Sequence, residues 1–243
     1  MNYSIAIDGP AAAGKSTIAR SVAEKTGLTY INTGAMYRAI AYWCMQNGIP
    51  TREKEPLKSR INEINIDISY KDGIQQLILN GENVTEELNS EEVGREASRV
   101  SQFAFVRLKL VKLQQEIAKK QPVVMDGRDI GTKVLPGAFF KIFMTASSSV
   151  RAKRRYDELI ARGVECDYNT ILSDIEHRDY EDENRELAPL KQASDAIVID
   201  TSDMTIEEAS DKITELFKNN CIPFFWSFFC TKLAMSWSNG PIK

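Results

Sequence analysis

The sequence predicts an α/β protein built on a parallel five-stranded sheet with helices on both faces. Short apolar runs alternate with longer helical patterns, which is typical of strands that are buried on both sides. The 243 residues, 43% hydrophobic and 27% charged, favour one core with appended lobes and exclude collagenous, disordered and multi-span membrane chains. Five runs have the length and composition of core strands, namely 3–7, 29–31, 122–125, 139–144 and 196–199.

Small or acidic residues follow four of these five runs. Because the carboxyl ends of parallel strands meet at one edge of a sheet, where ligands gather, that edge is the expected place for chemistry. The residues predicted to mark the rim of the cleft are Asp8, Asn32, Asp126, Thr145 and Asp200.

After the first strand, residues 9–16 read GPAAAGKS and fit the phosphate-loop pattern GxxxxGK[ST]. In such a loop, successive backbone N–H groups point at phosphate oxygens, and the N-terminus of the following helix adds positive potential. Lys15 would reach the β- and γ-phosphates, and Ser16 would ligate magnesium. An ordinary glycine-rich turn is the alternative, and it is rare once a flanking strand and helix are required. The predicted ATP-binding residues are Gly9, Pro10, Ala11, Ala12, Ala13, Gly14, Lys15, Ser16 and Thr17.

The third strand ends in an acidic residue, Asp126. A carboxylate at that place is suited to hold magnesium directly or through water, although it could equally cap the strand end. The sequence therefore predicts Mg²⁺ as the cofactor, with Ser16 and Asp126 as the metal-binding residues. No NKxD motif for guanine follows, which disfavours a GTPase.

Two segments depart from the regular alternation. Around Lys71-Asp72-Gly73 the apolar residues alternate singly, which indicates a hairpin, and Asn80-Gly81 indicates a second turn. A strongly charged helical stretch can be capped at Ser147–Ser149 and broken at Gly163. The predicted organisation is core 1–60, acceptor-binding insert 61–95, core 96–146, lid 147–190, core 191–218 and an atypical hydrophobic tail 219–243.

Four arginines are predicted to lie in different elements, each near a turn or lobe: Arg38, Arg128, Arg178 and Arg185. Each alone is more often a surface charge. Together with a phosphate loop, they indicate a second phosphate site that closes around an acceptor. The basic helix start at 151–155 would add charge to a lid that excludes water during phosphoryl transfer.

Charge and cysteine content limit the partners and the compartment. The net charge of −3 disfavours nucleic acid as a partner. Cys44, Cys166, Cys221 and Cys230 lack CxxC spacing, which argues against a zinc ribbon or disulfide framework and favours a reducing cytosol. The first residues show no export signal, so we expect a cytoplasmic protein.

Several blocks of the sequence resemble the bacterial cytidylate kinase family of nucleoside-monophosphate kinases. The resemblance covers about residues 1–218, and the tail of the chain from Cys221 to Lys243 lies outside it. The tail leaves three interpretations open, a dimer contact, an interfacial anchor or a non-native extension. The matching blocks are IDGP at 7–10, NTGAMYR at 32–38, DGRDIGT at 126–132, RAKRR at 151–155, and 178–190.

The resemblance implies roles for particular residues. Arg38, Arg128 and Arg185 would hold the acceptor phosphate, and Arg178 and Asp182 the ribose. The base would be read by Ser98, Arg107 and Asp129, since an ionised Asp suits the amino group of cytosine and Arg and Ser suit its N3 and O2. Thr33 stands where the family often has Ser. The implied CMP-binding residues are Thr33, Arg38, Ser98, Arg107, Arg128, Asp129, Arg178, Asp182 and Arg185, and the implied catalytic residues are Lys15, Arg128, Arg154, Arg178 and Arg185.

One position departs from the family pattern. Ala104 stands three residues before Arg107, where the family commonly has proline, and this predicts a shifted helix start. The resemblance implies transfer of the γ-phosphoryl group of ATP to CMP or dCMP with Mg²⁺. We expect a monomer without nucleic-acid or membrane contact. Two alternatives remain open: a kinase for another monophosphate such as UMP, and a nucleotide-binding module that does not catalyse.

Overall fold

The computed structural model describes residues 3–220. The strands are β1 (Ser4–Asp8), β2 (Thr29–Asn32), β3 (Ile66–Lys71), β4 (Ile74–Leu79), β5 (Glu82–Asn83), β6 (Val123–Gly127), β7 (Phe140–Thr145) and β8 (Ile197–Asp200). The helices are α1 (Lys15–Thr26), α2 (Thr33–Gln46), α3 (Lys54–Arg60), α4 (Glu91–Val100), α5 (Ala104–Lys120), α6 (Ser148–Ala161), α7 (Tyr168–Asn184) and α8 (Ile206–Asn220). Short helical turns lie at Ile61–Glu63, Glu87–Asn89 and Ile130–Val134.

The central sheet has five strands in the order β2-β6-β1-β7-β8, and all neighbouring pairs are parallel. This confirms the predicted fold class. The observed strands agree with the predicted runs to within one or two residues at each end. Asp8, Asn32, Thr145 and Asp200 are the last residues of their strands, and Asp126 is the last but one of β6. The predicted rim residues therefore share one edge of the sheet.

Both faces of the sheet are covered by helices because the strand side chains alternate between two apolar clusters. Met125 of β6 packs with Met36 of α2 and Leu110 of α5 on one face. Val124 packs with Ile18 of α1 and Ile213 of α8 on the other face. The near-continuous apolar character of the strands thus reflects burial on both sides.

The predicted hairpin is present and carries a third, short strand. β3, β4 and β5 form an antiparallel sheet in which Asp72-Gly73 and Asn80-Gly81 make the two turns. All four turn residues have positive φ, between 50° and 91°, as primed hairpin turns require. The Tyr70 hydroxyl donates to the Tyr30 carbonyl at 3.0 Å, so the small sheet is fastened to the edge strand β2.

The charged stretch forms two helices, α6 and α7. The Ser147 hydroxyl caps α6 by accepting the Val150 N–H, and Gly163 has the left-handed φ of 73° just beyond its end. The hydrophobic tail lies outside the described residues from Cys221 onward, as do Cys221 and Cys230. None of the described helices is long and apolar enough to span a membrane.

Candidate active site

The loop between β1 and α1 has the backbone of a phosphate-binding loop. Gly9 has a φ of 153°, and a Cβ there would stand 2.1 Å from the carbonyl oxygen of Met144, so only glycine fits. Lys15 is buried, and its ammonium donates to the carbonyl of Pro10. Burial, followed by the charge of Arg128, holds the pKa of Lys15 well below its usual value. The loop therefore folds around its own lysine, while Thr17 is exposed at the start of α1.

Ser16 and Asp126, which are 110 residues apart, meet beside this loop. The Ser16 hydroxyl donates to Asp126 Oδ2 at 2.7 Å, and the Tyr30 hydroxyl donates to Oδ1 at 2.9 Å. The Thr33 hydroxyl donates to the Asp126 carbonyl at 2.6 Å. A hydroxyl and a carboxylate at hydrogen-bond distance are the hard oxygen donors that Mg²⁺ prefers, so these residues fit the ion. Sequence reasoning missed Tyr30, because a tyrosine in a core strand carries no local signal of function.

Four arginines from three parts of the chain lie near one another: Arg38 on α2, Arg128 after β6, and Arg178 and Arg185 on α7 and at its C-cap, so the expectation of four different elements was wrong. Arg128, Arg178 and Arg185 lie around Asp182. Arg128 Nε donates to Asp182 Oδ2 at 2.8 Å, and Arg185 lies 3.4 Å from Oδ1. Burial and neighbouring guanidiniums lower the pKa of Arg38, Arg178 and Arg185. Burial would raise the pKa of Asp182, but Arg128, Arg178 and Arg185 hold it below its usual value. One carboxylate thus serves several cations.

Within the described residues 3–220, three of these guanidiniums have buried N–H groups without a hydrogen-bond partner. They are the Nε atoms of Arg38 and Arg178 and one terminal nitrogen of Arg185. Buried polar groups are almost always paired in folded proteins, and an unpaired charged donor is costly. Unpaired donors of one charge in one region of the molecule fit an anion with several oxygen atoms. The structure places Arg38, Arg128 and Arg178 within electrostatic reach of one another and Arg185 beside Asp182, while their use as an acceptor phosphate site stays a prediction.

A second buried group, Arg107 with Asp129, lies next to this cluster. Arg107 on α5 donates to the Asp129 carboxylate, and both side chains are 7% exposed. The Arg107 guanidinium also lies 5.7 Å from the ring centre of Tyr37. Burial lowers the pKa of Arg107, but the influence of Tyr37 and Asp129 outweighs it and the pKa is raised. α5 begins at Ala104 without a side-chain cap, and Arg107 still reaches Asp129 from its first turn.

Ser98 and Arg154 are not joined to these groups by hydrogen bonds. Among residues 3–220, the half-buried Ser98 hydroxyl has no hydrogen-bond partner. Arg154 donates to the carbonyls of Thr201 and Met204, at 2.5 and 3.3 Å, in the loop after β8.

Arg151 has a connecting role that sequence reasoning missed. It is 5% exposed and donates to the Ala11 carbonyl at 3.0 Å and to Asp179 at 3.0 and 2.5 Å. These bonds tie the phosphate-binding loop to α7, the helix that carries Arg178. The basic run at 151–155 drew attention to this region, but nothing local distinguishes Arg151 from its neighbours.

Comparisons with known proteins agree with this geometry. The family model described as Cytidylate kinase matches residues 5–219. The chain is 51% identical over 213 residues to a cytidylate kinase of Caldicellulosiruptor saccharolyticus, covering 88% of this chain and 94% of that protein. It is 48% identical to a cytidylate kinase of Bacillus subtilis, covering 87% and 95%. It is 47% identical to a cytidylate kinase of Clostridium botulinum, covering 90% of this chain and all of that protein.

Proposed function

The chain belongs to the cytidylate kinase family, and we propose that it transfers the γ-phosphoryl group of ATP to CMP or dCMP. The observation that carries this proposal is the set of unpaired, buried N–H groups on Arg38, Arg178 and Arg185. The charges of Arg128, Asp126 and Arg178 affect the pKa of Lys15, so the arginine cluster lies close to the phosphate-binding loop. Two anion sites side by side are what direct transfer between two phosphates requires.

On the donor side, the backbone of residues 9–14 and the N-terminus of α1 would hold the triphosphate. Lys15 would exchange the Pro10 carbonyl for the β- and γ-phosphates and compensate charge on the transferring group. Ser16 and Asp126 would hold Mg²⁺, which neutralises phosphate charge and orients the γ-phosphoryl group. The remaining residues from Gly9 to Thr17 keep their proposed ATP-binding role.

On the acceptor side, Arg38, Arg128 and Arg185 would grip the phosphate of the monophosphate, with Thr33 beside them. Arg178 and Asp182 would contact the ribose. The attacking phosphate oxygen is already ionised, so the reaction needs no strong general base, and catalysis is positioning and electrostatic stabilisation by Lys15 and the arginines. Arg154 donates to the backbone of the loop after β8, and it would anchor the lid to the core there.

Base selection would rest on Arg107, Asp129 and Ser98. Asp129 accepts hydrogen bonds, so it would pair with the amino group of cytosine, while Arg107 and Ser98 would donate to N3 and O2. Uracil presents a carbonyl in place of the amino group and would leave the carboxylate without a donor. A site built to form a particular hydrogen bond strongly rejects a base that cannot form it, because a buried polar group is then left unpaired.

Residues 61–95 would form the acceptor-binding insert and 147–190 the lid that closes over both substrates. Arg151 bridges the phosphate loop to α7, which gives the proposed lid a direct connection to the donor site. The expectations of a monomer in the cytoplasm stay predictions, and size-exclusion chromatography with light scattering tests the first of them.

A steady-state assay of ADP release with ATP, Mg²⁺ and CMP, dCMP or UMP tests the function. We expect turnover of CMP and dCMP, with kcat/KM for UMP lower by about 10²-fold or more. Equal use of UMP would favour a kinase of broader acceptor range. Binding of ATP without turnover of any monophosphate would favour the non-catalytic module.

A further inference from the structure

Asp8 is a buried carboxylate to which the proposed reaction assigns no task. It ends β1, directly before Gly9 of the phosphate-binding loop, and it is 4% exposed. Its Oδ1 accepts the N–H of Ile130 at 2.7 Å, and its Oδ2 accepts the N–H of Gly131 at 2.7 Å. Both oxygen atoms therefore point at consecutive peptide groups 122 and 123 residues further along the chain.

These two bonds fix the turn that presents Asp129. The N–H of Ile130 belongs to the same rigid peptide plane as the carbonyl of Asp129. That carbonyl in turn accepts the N–H groups of Lys133 and Val134, at 2.8 and 3.1 Å. Asp129 itself has an irregular backbone, with φ −145° and ψ 24°, so no regular element sets its direction. The peptide group between Asp129 and Ile130 is therefore held on both sides, its N–H by Asp8 and its carbonyl by the N–H groups of the following turn.

The contact between Asp8 and the turn is close. A Cβ on Gly131 would lie 3.3 Å from Asp8 Oδ2 and 3.2 Å from Cδ of Lys141. Such distances are tight for a side chain, so even a methyl group at 131 would push the turn away from the carboxylate by a few tenths of an ångström. The absence of a side chain at this position lets the N–H approach Asp8 fully.

We propose that Asp8 is a positioning residue that aims Asp129, and with it Arg107, at the acceptor base. The inference rests on the proposed function, which supplies the base that Asp129 reads. A carboxylate suits the task because it offers two acceptors to two adjacent N–H groups, whereas a carboxamide offers one acceptor and one donor. Asp8 would act on the base only through the peptide that it holds.

The test compares Asp8→Asn with Gly131→Ala, which disturbs the same contact from the other side. Glu208→Gln is a matched control, because Glu208 also accepts a backbone N–H, from Thr205 at 2.8 Å, but lies on α8 and has no part in the proposed site. For each protein we would measure CMP binding by calorimetry, KM for CMP and for ATP, and the ratio of kcat/KM for CMP over UMP.

Asp8→Asn should raise KM for CMP and lower the CMP-to-UMP ratio by about five- to tenfold each, with KM for ATP changed less than about twofold. Gly131→Ala should shift the same two quantities by about two- to threefold, and Glu208→Gln should shift neither. A common loss of kcat with an unchanged CMP-to-UMP ratio in both variants would overturn the proposal, since a purely structural role gives that pattern. If Asp8→Asn does not fold, the ratio in Gly131→Ala decides alone.

The wild-type protein separates this inference from the function on which it rests. If wild-type protein neither binds CMP nor turns it over, the proposed function fails. If it does both and the two variants keep its base preference, only the role of Asp8 fails.

Discussion

The donor side and the acceptor side of the cleft differ in how well their charges are satisfied without substrates. On the donor side, Lys15 bonds to the Pro10 carbonyl, and both oxygens of Asp126 have hydroxyl partners, Ser16 and Tyr30. On the acceptor side, Arg128 and Arg185 share Asp182, and three arginine nitrogen atoms are buried and have no hydrogen-bond partner in the part of the chain that the structure describes. The charged groups of the donor site are paired with one another, whereas the acceptor site has cationic donors that lack an anionic partner.

This difference predicts which of the two sites is stabilised more when its ligand binds. An unpaired buried cation destabilises the free protein, and a dianion that pairs with it recovers that loss. The acceptor site should therefore gain more stability from its ligand than the donor loop does. Four measurements test this contrast.

The largest effect is expected from Lys15→Ala. The substitution removes the cation that compensates charge in the transition state, so kcat should fall by at least about 10³-fold. The loop loses only the bond to Pro10, so the free energy of unfolding should change by about 1 kcal/mol. ADP-release kinetics and urea denaturation measure the two. Lys25→Ala is the control, because Lys25 lies in the last turn of α1 and pairs with Asp211, and its loss should leave full activity.

Arg38→Met should separate stability from function on the acceptor side. Removing a guanidinium with a buried, unpaired Nε should raise the unfolding free energy by about 1 kcal/mol, because methionine packs without a charge. The same change should lower kcat/KM for CMP by about 10²-fold. Urea denaturation with and without CMP measures the free energy of unfolding and its gain from the ligand, and ADP-release kinetics measure kcat/KM for CMP.

Arg60→Met is the matched control for Arg38→Met. Arg60 is half-exposed, pairs with Glu63 at 2.7 Å and stacks 4.9 Å from the ring centre of Trp43. Its loss should give no gain in stability and no loss of activity. A destabilised Arg38→Met with CMP kinetics like those of the wild type would contradict the contrast between the two sites.

The two sites also differ in how far the sequence could predict them. The donor loop is contiguous, so its sequence pattern alone predicts it, although the contact that requires glycine at Gly9, with the carbonyl of Met144, is made by the tertiary fold. The hairpin turns at Asp72-Gly73 and Asn80-Gly81 are equally local and were predicted from two residues each. The convergence of Arg38 with Arg178 was a hypothesis about the tertiary structure, and the fold brings the two together as that hypothesis required.

Other features had no local signal at all. The strand order β2-β6-β1-β7-β8 depends on how helices pack over the whole sheet. Tyr30 becomes a partner of Asp126 only because β2 and β6 are neighbours, and Arg151 reaches Ala11 across 140 residues. Arg154 was included with the catalytic residues by resemblance, and only the fold places its guanidinium on the backbone of 201–204.

Asp129→Asn tests how the acceptor site recognises the base. Asparagine keeps the shape of the side chain but can turn a donor toward the ring, so it accepts a carbonyl as readily as an amino group. The ratio of kcat/KM for CMP over UMP should fall by about tenfold, while KM for ATP stays the same. An unchanged ratio would refute the assignment of Asp129 to base reading, whatever happens to the rate.

The smallest expected effect is a pH dependence of stability that distinguishes two buried carboxylates. Burial raises the pKa of Asp8 to about 6 against the opposing N–H groups of Gly131 and Ile130, with Asp129 and Lys15 as the nearby charges. Asp182, among arginines, has a lowered pKa and stays ionised over the same range. Because folded Asp8 takes up a proton before the unfolded chain does, its protonation stabilises the protein as the pH falls from 7 to 5.5.

The gain over that interval should be about 1 kcal/mol in wild-type protein relative to Asp8→Asn, and urea denaturation at the two pH values measures it. Asp182 should contribute nothing there, since its stabilisation is lost only as the pH falls through its lowered pKa. Parallel pH profiles for wild type and Asp8→Asn would mean that Asp8 is not the group that titrates. A carboxylate held by neutral N–H groups and one held by cations then differ in the direction of their pKa shift, and therefore in the pH range over which each affects stability.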